Sequence, residues 1–271
     1  MIAFASNSLL CRAALTQTAI DAASFTFIRI FSGAVTLWLI TTMRRSTSTQ
    51  TGEWISALAL FAYAAAFSFA YNTLSAGTGA LLLFGAVQAT MILWGLRKDE
   101  RLRLPQIIGL IVALIGLVLL VSPGLSAPPL LGSMLMLSAG VAWGIYSLRG
   151  RTARDAIAAT TGNFLRAVPF AAVVSVIALP WIQLDRTGLI YAIISGAITS
   201  GLGYVIWYAA LSNLKATTAA TVQLSVPVIA ATGGILLLSE PMTMRYLIAS
   251  IAVLGGIALV VLERNHSSSN I

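Results

Sequence analysis

The sequence predicts an all-α polytopic membrane protein of ten transmembrane helices, arranged as two inverted five-helix repeats, and three observations lead there. First, 58% of the 271 residues are hydrophobic and 9% charged, with a mean hydropathy of +0.93; such a chain has too little polar surface to coat a water-soluble globule. Second, the apolar residues form about ten runs of roughly twenty, the length of helix that crosses about 30 Å of hydrocarbon, and the runs lack the alternation a barrel strand needs. Third, the second set of five runs repeats features of the first.

Each span can be justified in turn. Residues 1–18 form a first span that looks a turn or so short, so further chain upstream is expected. It carries Phe4 and Asn7, the latter a contact for either a substrate or another helix. No basic segment precedes it, which argues against a cleaved signal peptide, and Leu10 before Cys11 is wrong for a lipoprotein site. Span 22–43 holds Arg29 in "FTFIRIF". Span 54–74 repeats Tyr63, Phe67 and Tyr71 every four residues along one face. Span 76–96 contains Phe84 and, one turn later on the same face, Gln88, whose amide has to bond a neighbouring helix or point into a wet cavity. Span 105–122 follows "RKDERLR".

The second set begins at residues 130–148, with Trp143 and Tyr146. Span 159–181 holds Arg166. Span 188–212 combines the glycine-rich "SGAITSGLG", which permits close helix approach, with an aromatic patch of Tyr204, Trp207 and Tyr208. Such patches serve either as helix packing or as a lining for apolar side chains. Span 216–239 holds Gln223, Ser225 and Pro227; Pro227 cannot donate to the carbonyl of Gln223, which predicts a hinge there. Span 244–262 ends in a polar tail, 263–271. Trp38, Trp54, Trp94 and Trp181 lie near span ends and read as interface anchors.

The net charge of +8 follows the membrane and not a nucleic-acid face. One set of alternate loops collects Arg44, Arg45, Arg97, Lys98, Arg101, Arg103, Arg149, Arg151, Arg154, Lys215 and Arg264, and the other only Arg186 and Arg245. By the positive-inside rule both termini are cytoplasmic. The repeat halves are residues 1–122 and 130–262. At an offset of 137, Ala5, Arg12 and Arg29 fall on Ala142, Arg149 and Arg166; at 140, Leu74, Thr78, Glu100 and Gly116 fall on Leu214, Thr218, Glu240 and Gly256. Five spans per half make the second copy enter from the opposite side. Arg29 and Arg166 are then one feature seen twice. Each caps carbonyls or reaches the interface, or else acts as counter-ion to a substrate carboxylate.

With these features the chain resembles the drug/metabolite transporter superfamily, in its ten-helix EamA-type branch. The turns "LSAGTGALLLF" and "LKATTAATVQLSVPV", "GLGYVIWYAAL" in the eighth span and "SEPMTMRYLIASIAVLGGIALVV" carry the likeness across essentially the whole chain. Among its members, the aromatic amino acid exporters called the YddG group are similar at several positions. The resemblance implies a cavity between the halves, with Phe4 in place of a first-span Trp, Phe84 and Trp143 at aromatic cavity positions, and Gln223 where a serine would stand. Tyr146, Tyr204 and Ser225 complete the expected lining. "FGAVQAT" departs from that group's aromatic-Trp-Pro pattern in the fourth span, so aromatic specificity does not carry over with it.

The expected function is export of small metabolites, amino acids first and apolar or aromatic ones among them, by alternating access across a bacterial inner membrane. The alternatives are an exporter of drugs, nucleosides or other metabolites, and a non-transport membrane protein or enzyme. Catalysis finds little footing: the one histidine, His266, lies in the tail, and no metal cluster or Ser/His/Asp set can be assembled at membrane depth. No cofactor, metal or nucleic-acid partner is expected; the partners are a small-molecule substrate and the bilayer, with monomer and homodimer both open. All eight acids fall in loops or at span ends, which points to gradient-driven export and not proton antiport.

Overall fold

The computed structural model describes residues 1–44, 52–97, 103–124, 127–151, 153–211 and 222–268, and among these there is no strand. The helices are α1 (Ile2–Gln17), α2 (Ala22–Met43), α3 (Trp54–Tyr71), α4 (Ala76–Arg97), α5 (Leu104–Val121), α6 (Leu130–Gly150) and α7 (Ala156–Ile177). The eighth span is compound: α8 (Arg186–Ile194), a π-helical segment (Ser195–Leu202) and α9 (Gly203–Leu211). Two more follow, α10 (Ser225–Leu238) and α11 (Met244–Ser268). Among the described residues, seven segments are long and apolar enough to cross a membrane, with α10 and Met244–Val260 as shorter apolar helices. The protein is an all-α polytopic membrane protein.

Most boundaries follow local chemistry. Asp21, Asp155 and Asp185 cap α2, α7 and α8 by accepting backbone N–H bonds in the first turn, the usual use of a short carboxylate there. The seventh span is displaced from the expected 159–181. Asp155 starts it earlier, and it gives way after Ile177 to a 3-10 turn, Leu179–Trp181, around Pro180, which cannot continue an α ladder. The expected hinge in the ninth span lies beside residues 212–221, outside the described ones. Regular helix resumes at Ser225, with Pro227 buried in the first turn, where a missing N–H leaves no bond unmade.

Packing joins spans across the two halves. The fifth span packs chiefly on the tenth; α2 packs on both α7 and the eighth span, and α4 touches α10 while packing more on α6, so that each span meets its counterpart five spans on. The contact of α3 with α6 has its counterpart in that of α8 and the π segment with α1. Small residues set the closest approaches: a Cβ on Gly109 would meet Gly256 of α11, one on Gly140 would meet Ala86, and one on Gly196 would strike the Arg29 carbonyl and the Ser32 hydroxyl. Outward faces of α5 and α11 show Ile107, Ile108, Ile111, Ile115, Ile248 and Ile251, a surface suited to lipid and not to water. Trp38, Trp54, Trp94 and Trp181 are all exposed near span ends.

Two outcomes follow from this packing. Gly196→Ala forces α2 away from the π segment and lowers the melting temperature of detergent-solubilised protein, in line with overpacking costs of about 1–3 kcal/mol; Gly255→Ala, with no atom near its new methyl, leaves it unchanged or slightly raised. Burial pushes up the Asp21 carboxyl, but hydrogen bonds from Ser24, Gln183 and Ala23 outweigh it and hold it below its usual value. Its stabilisation is therefore present above the ordinary carboxylate range and is lost as pH falls through the lowered folded value. Asp21→Ala accordingly melts below wild type at neutral pH by the equivalent of about 1 kcal/mol, and the gap closes in acid.

Candidate functional site

At the centre of the bundle a small hollow of about 10 Å³ is lined by Phe4 and Asn7 of α1, Tyr63 and Phe67 of α3, Leu83 and Phe84 of α4, Trp143 of α6, Thr199 and Ser200 of the π segment and Tyr204 of α9. That is room for about one water, so the lining side chains nearly fill the hollow. Residues of both halves meet there. In the aromatic wall Phe4 is edge-on to Trp143 at 6.2 Å and to Tyr204 and Trp207 at 5.9 Å. Trp143 adds Tyr63 at 4.8 Å, Tyr204 at 5.2 Å and Tyr146 at 5.5 Å.

A polar seam runs through these rings. Asn7 Oδ1 accepts from the hydroxyls of Ser195 at 2.6 Å and Thr199 at 3.2 Å, and its amide donates to the Tyr63 hydroxyl at 3.5 Å. Arg29 donates through Nη2 to the same Tyr63 oxygen at 3.0 Å and through Nε to Ser200 at 3.3 Å. Its guanidinium also lies 4.9 Å from the Phe67 ring centre. The π segment makes the seam possible: three of its hydroxyls turn toward α1 and α2, while Gly196 lets α2 come close. Wide turns of this kind recur at functional sites.

Other expected residues are distributed differently. Tyr71 is buried, edge-on to Phe67 at 4.7 Å, and donates to the Ala76 carbonyl. Gln88 is buried but faces a separate hollow of about 10 Å³ among α4, α5 and α11, where its Nε2 has no hydrogen-bond partner among the described residues. Four residues of α-helix advance about 40° past a full turn, enough on a helix enclosed on most sides to turn Gln88 away from the hollow that Phe84 lines. Gln223 and Ser225 are half-buried and do not line the central hollow. Arg166 departs from Arg29: it is half-buried, bonds the Gly162 carbonyl of its own helix at 3.1 Å and lies over the Trp54 ring.

Two ion pairs stand at opposite ends of the site. Arg12 and Glu240 meet at 3.1 Å, while Arg12 also donates to the carbonyls of Tyr71 and Asn72. Glu240 accepts from the Ala76 N–H at 2.8 Å, capping α4. It reaches there because α10 ends at Ser239 in the left-handed conformation, φ 54°, and because Gly234 leaves space for the carboxylate. Beside this cluster is a cavity of about 170 Å³ bordered by Ser75, Thr78, Glu240 and Tyr246. At the other end Arg149 pairs with Glu53 and Ser56 of α3.

In the sequence Arg12 stands out only as a repeat landmark, Arg149 as a landmark and a basic loop residue, and Ser195, Thr199 and Ser200 only as parts of a glycine patch. The available signals were an arginine inside the first span and hydroxyls spaced four apart at positions 195 and 199.

The family model for EamA-like transporters matches residues 1–122 and again residues 130–262. The chain belongs to the EamA-like transporter family. It is 56% identical over 265 residues to an uncharacterized protein of Pseudomonas aeruginosa, covering 97% of this chain and 92% of that one. It is 25% identical over 203 residues to a Salmonella typhimurium protein named "Probable amino-acid metabolite efflux pump", covering 69% and 67%. A crystal structure at 14% identity, covering 97% of this chain and 98% of its own, aligns with a TM-score of 0.66. That likeness is one of fold.

Because Glu240 ties α1 and the end of α10 to the start of α4, Glu240→Gln loosens this end of the molecule. A cysteine placed at Thr78, beside the cavity, then reacts severalfold faster with a polar maleimide than in the Glu240 background, consistent with charge-assisted bonds of about 1.5–3 kcal/mol. Buried Cys11 contributes no background. Equal rates would show that the pair does not hold the end closed.

Proposed function

We propose that this protein exports small metabolites, with amino acids bearing apolar or aromatic side chains foremost, by alternating access between two inverted five-helix halves. The central hollow is the observation that carries the reading. It combines an aromatic wall with a polar seam at the junction of residues from both halves, the mixture that a solute with one apolar and one polar end requires. The double family match and the counterpart packing of spans support two related halves. The name of the Salmonella relative supports the solute class.

The hollow holds about one water, too little for a solute, so solute is accommodated only when the halves move apart at one end. The Arg12–Glu240 and Arg149–Glu53 pairs stand where such ends would be gated. The basic loops support a reading with both termini in the cytoplasm of a bacterial inner membrane, on which the Arg12 end is the outer one. With the carboxylates at span ends, movement follows the solute gradient.

Purified protein in liposomes loaded with each of the twenty amino acids, and in parallel with organic cations and nucleosides, is expected to show counterflow of a subset of amino acids above protein-free liposomes. Counterflow of none, from protein that still melts cooperatively, refutes a carrier role.

A further inference from the structure

Arg29 is the most enclosed charge among the described residues, 2% exposed at mid-span in α2. Among the described residues no carboxylate answers it. Glu240 pairs with Arg12 and Glu53 with Arg149. On the elements packed against α2, the acids sit at helix starts: Asp155 caps α7 and Asp185 caps α8. Asp21, on α2 itself, lies eight residues away, about 12 Å along the axis. The guanidinium is held instead by two hydroxyls and two aromatic faces, with Nη1 lacking a hydrogen-bond partner among the described residues. An isolated buried cation is costly, and aromatic faces return only about 0.5–2 kcal/mol. Its environment is incomplete.

The missing component can be specified by counting donors and acceptors. Asn7 Oδ1 is already occupied by Ser195, with the one Thr199 hydrogen shared between it and the Ser195 carbonyl, and the Tyr63 oxygen by Arg29 and Asn7. The donors are in surplus. A hydroxyl that accepts from a guanidinium points its own hydrogen away from it, and the two hydroxyls that do so, Tyr63 and Ser200, both line the hollow. Arg29 therefore stands one hydrogen bond behind the wall and leaves the wall facing inward with donors. A group that completes this arrangement is an acceptor with a single negative charge. A carboxylate fits, while a dianionic phosphate would leave an excess charge buried. No acid lines the hollow to receive an ammonium group.

We propose that Arg29, with Tyr63, Asn7 and Ser200, forms a carboxylate-recognition subsite, so that the exported solute must carry a carboxylate while its amine is dispensable. The proposal rests on the transport reading above and names the end of the solute that the site selects. Arg29 and Arg166, equivalent by repeat position, thereby have separate roles, since Arg166 bonds its own helix near the Trp54 end of α3.

The test compares each amino acid that shows counterflow with its α-amide and its deaminated acid, in the same liposomes. The parent and the deaminated acid are expected to move, and the amide about ten- to a hundredfold more slowly, the size of a lost charge-assisted hydrogen bond. Tyr63→Phe, which keeps the ring, and Arg29→Lys, which keeps the charge, are expected to narrow the acid-over-amide ratio severalfold; Arg29→Gln abolishes it while leaving amide flux. Arg166→Gln keeps the wild-type ratio. The proposal is overturned, with transport intact, if amide and acid move equally in wild type, if only cations or nucleosides move, or if Tyr63→Phe and Arg29→Lys both leave the ratio unchanged. Absence of flux for every compound overturns the transport reading itself, and this inference with it.

Discussion

A chain surrounded by hydrocarbon has to satisfy its polar groups from within, because no solvent reaches them at mid-depth. The interior of this protein is organised by that requirement. Asn7, Tyr63, Ser195, Thr199 and Ser200 come from α1, α3 and the π segment, and with Arg29 of α2 they form one connected network. Apolar packing alone would allow these helices to slide past one another, since lipid is as apolar as the helix faces it would replace. The network fixes their register, and the aromatic wall closes around it.

The same requirement explains why the two halves are related without being equal. Arg12 and Arg149 both find a glutamate, but one pair also caps a helix and binds two carbonyls, whereas the other joins the start of α3 to the end of α6. Arg29 and Arg166 diverge further, one enclosed among hydroxyls and rings and the other turned back on its own helix. The two regions matched by the family model differ in this way because a few side chains decide which carbonyls and hydroxyls lie within reach.

The spans were legible because hydropathy and the polar or Pro/Gly breaks between runs act locally, whereas the starts that Asp155 and Asp185 set by capping fall a few residues before the expected ones. Membership of the aromatic wall was largely legible too, since Phe4, Tyr63, Phe67, Phe84, Trp143 and Tyr204 are large residues in spans that the family likeness brings together. What was hidden depends on fractions of a turn and on distant partners. The 40° by which Gln88 overshoots Phe84 matters only once the neighbours of α4 are known. The π segment has no compositional mark beyond small residues, and the pairing of Arg12 with Glu240 spans 228 positions.

The π segment also has a mechanical consequence. Its hydrogen-bonded rings each enclose one more residue than those of an α-helix. Returning one surplus residue to α geometry would turn everything downstream by about 100° around the axis while α8 stayed anchored at Asp185. Tyr204 and Trp207 lie within that downstream part. The eighth span is thus jointed like a swivel: a local change in winding, without translation of the whole rod, is enough to carry one side of the aromatic wall out of the hollow.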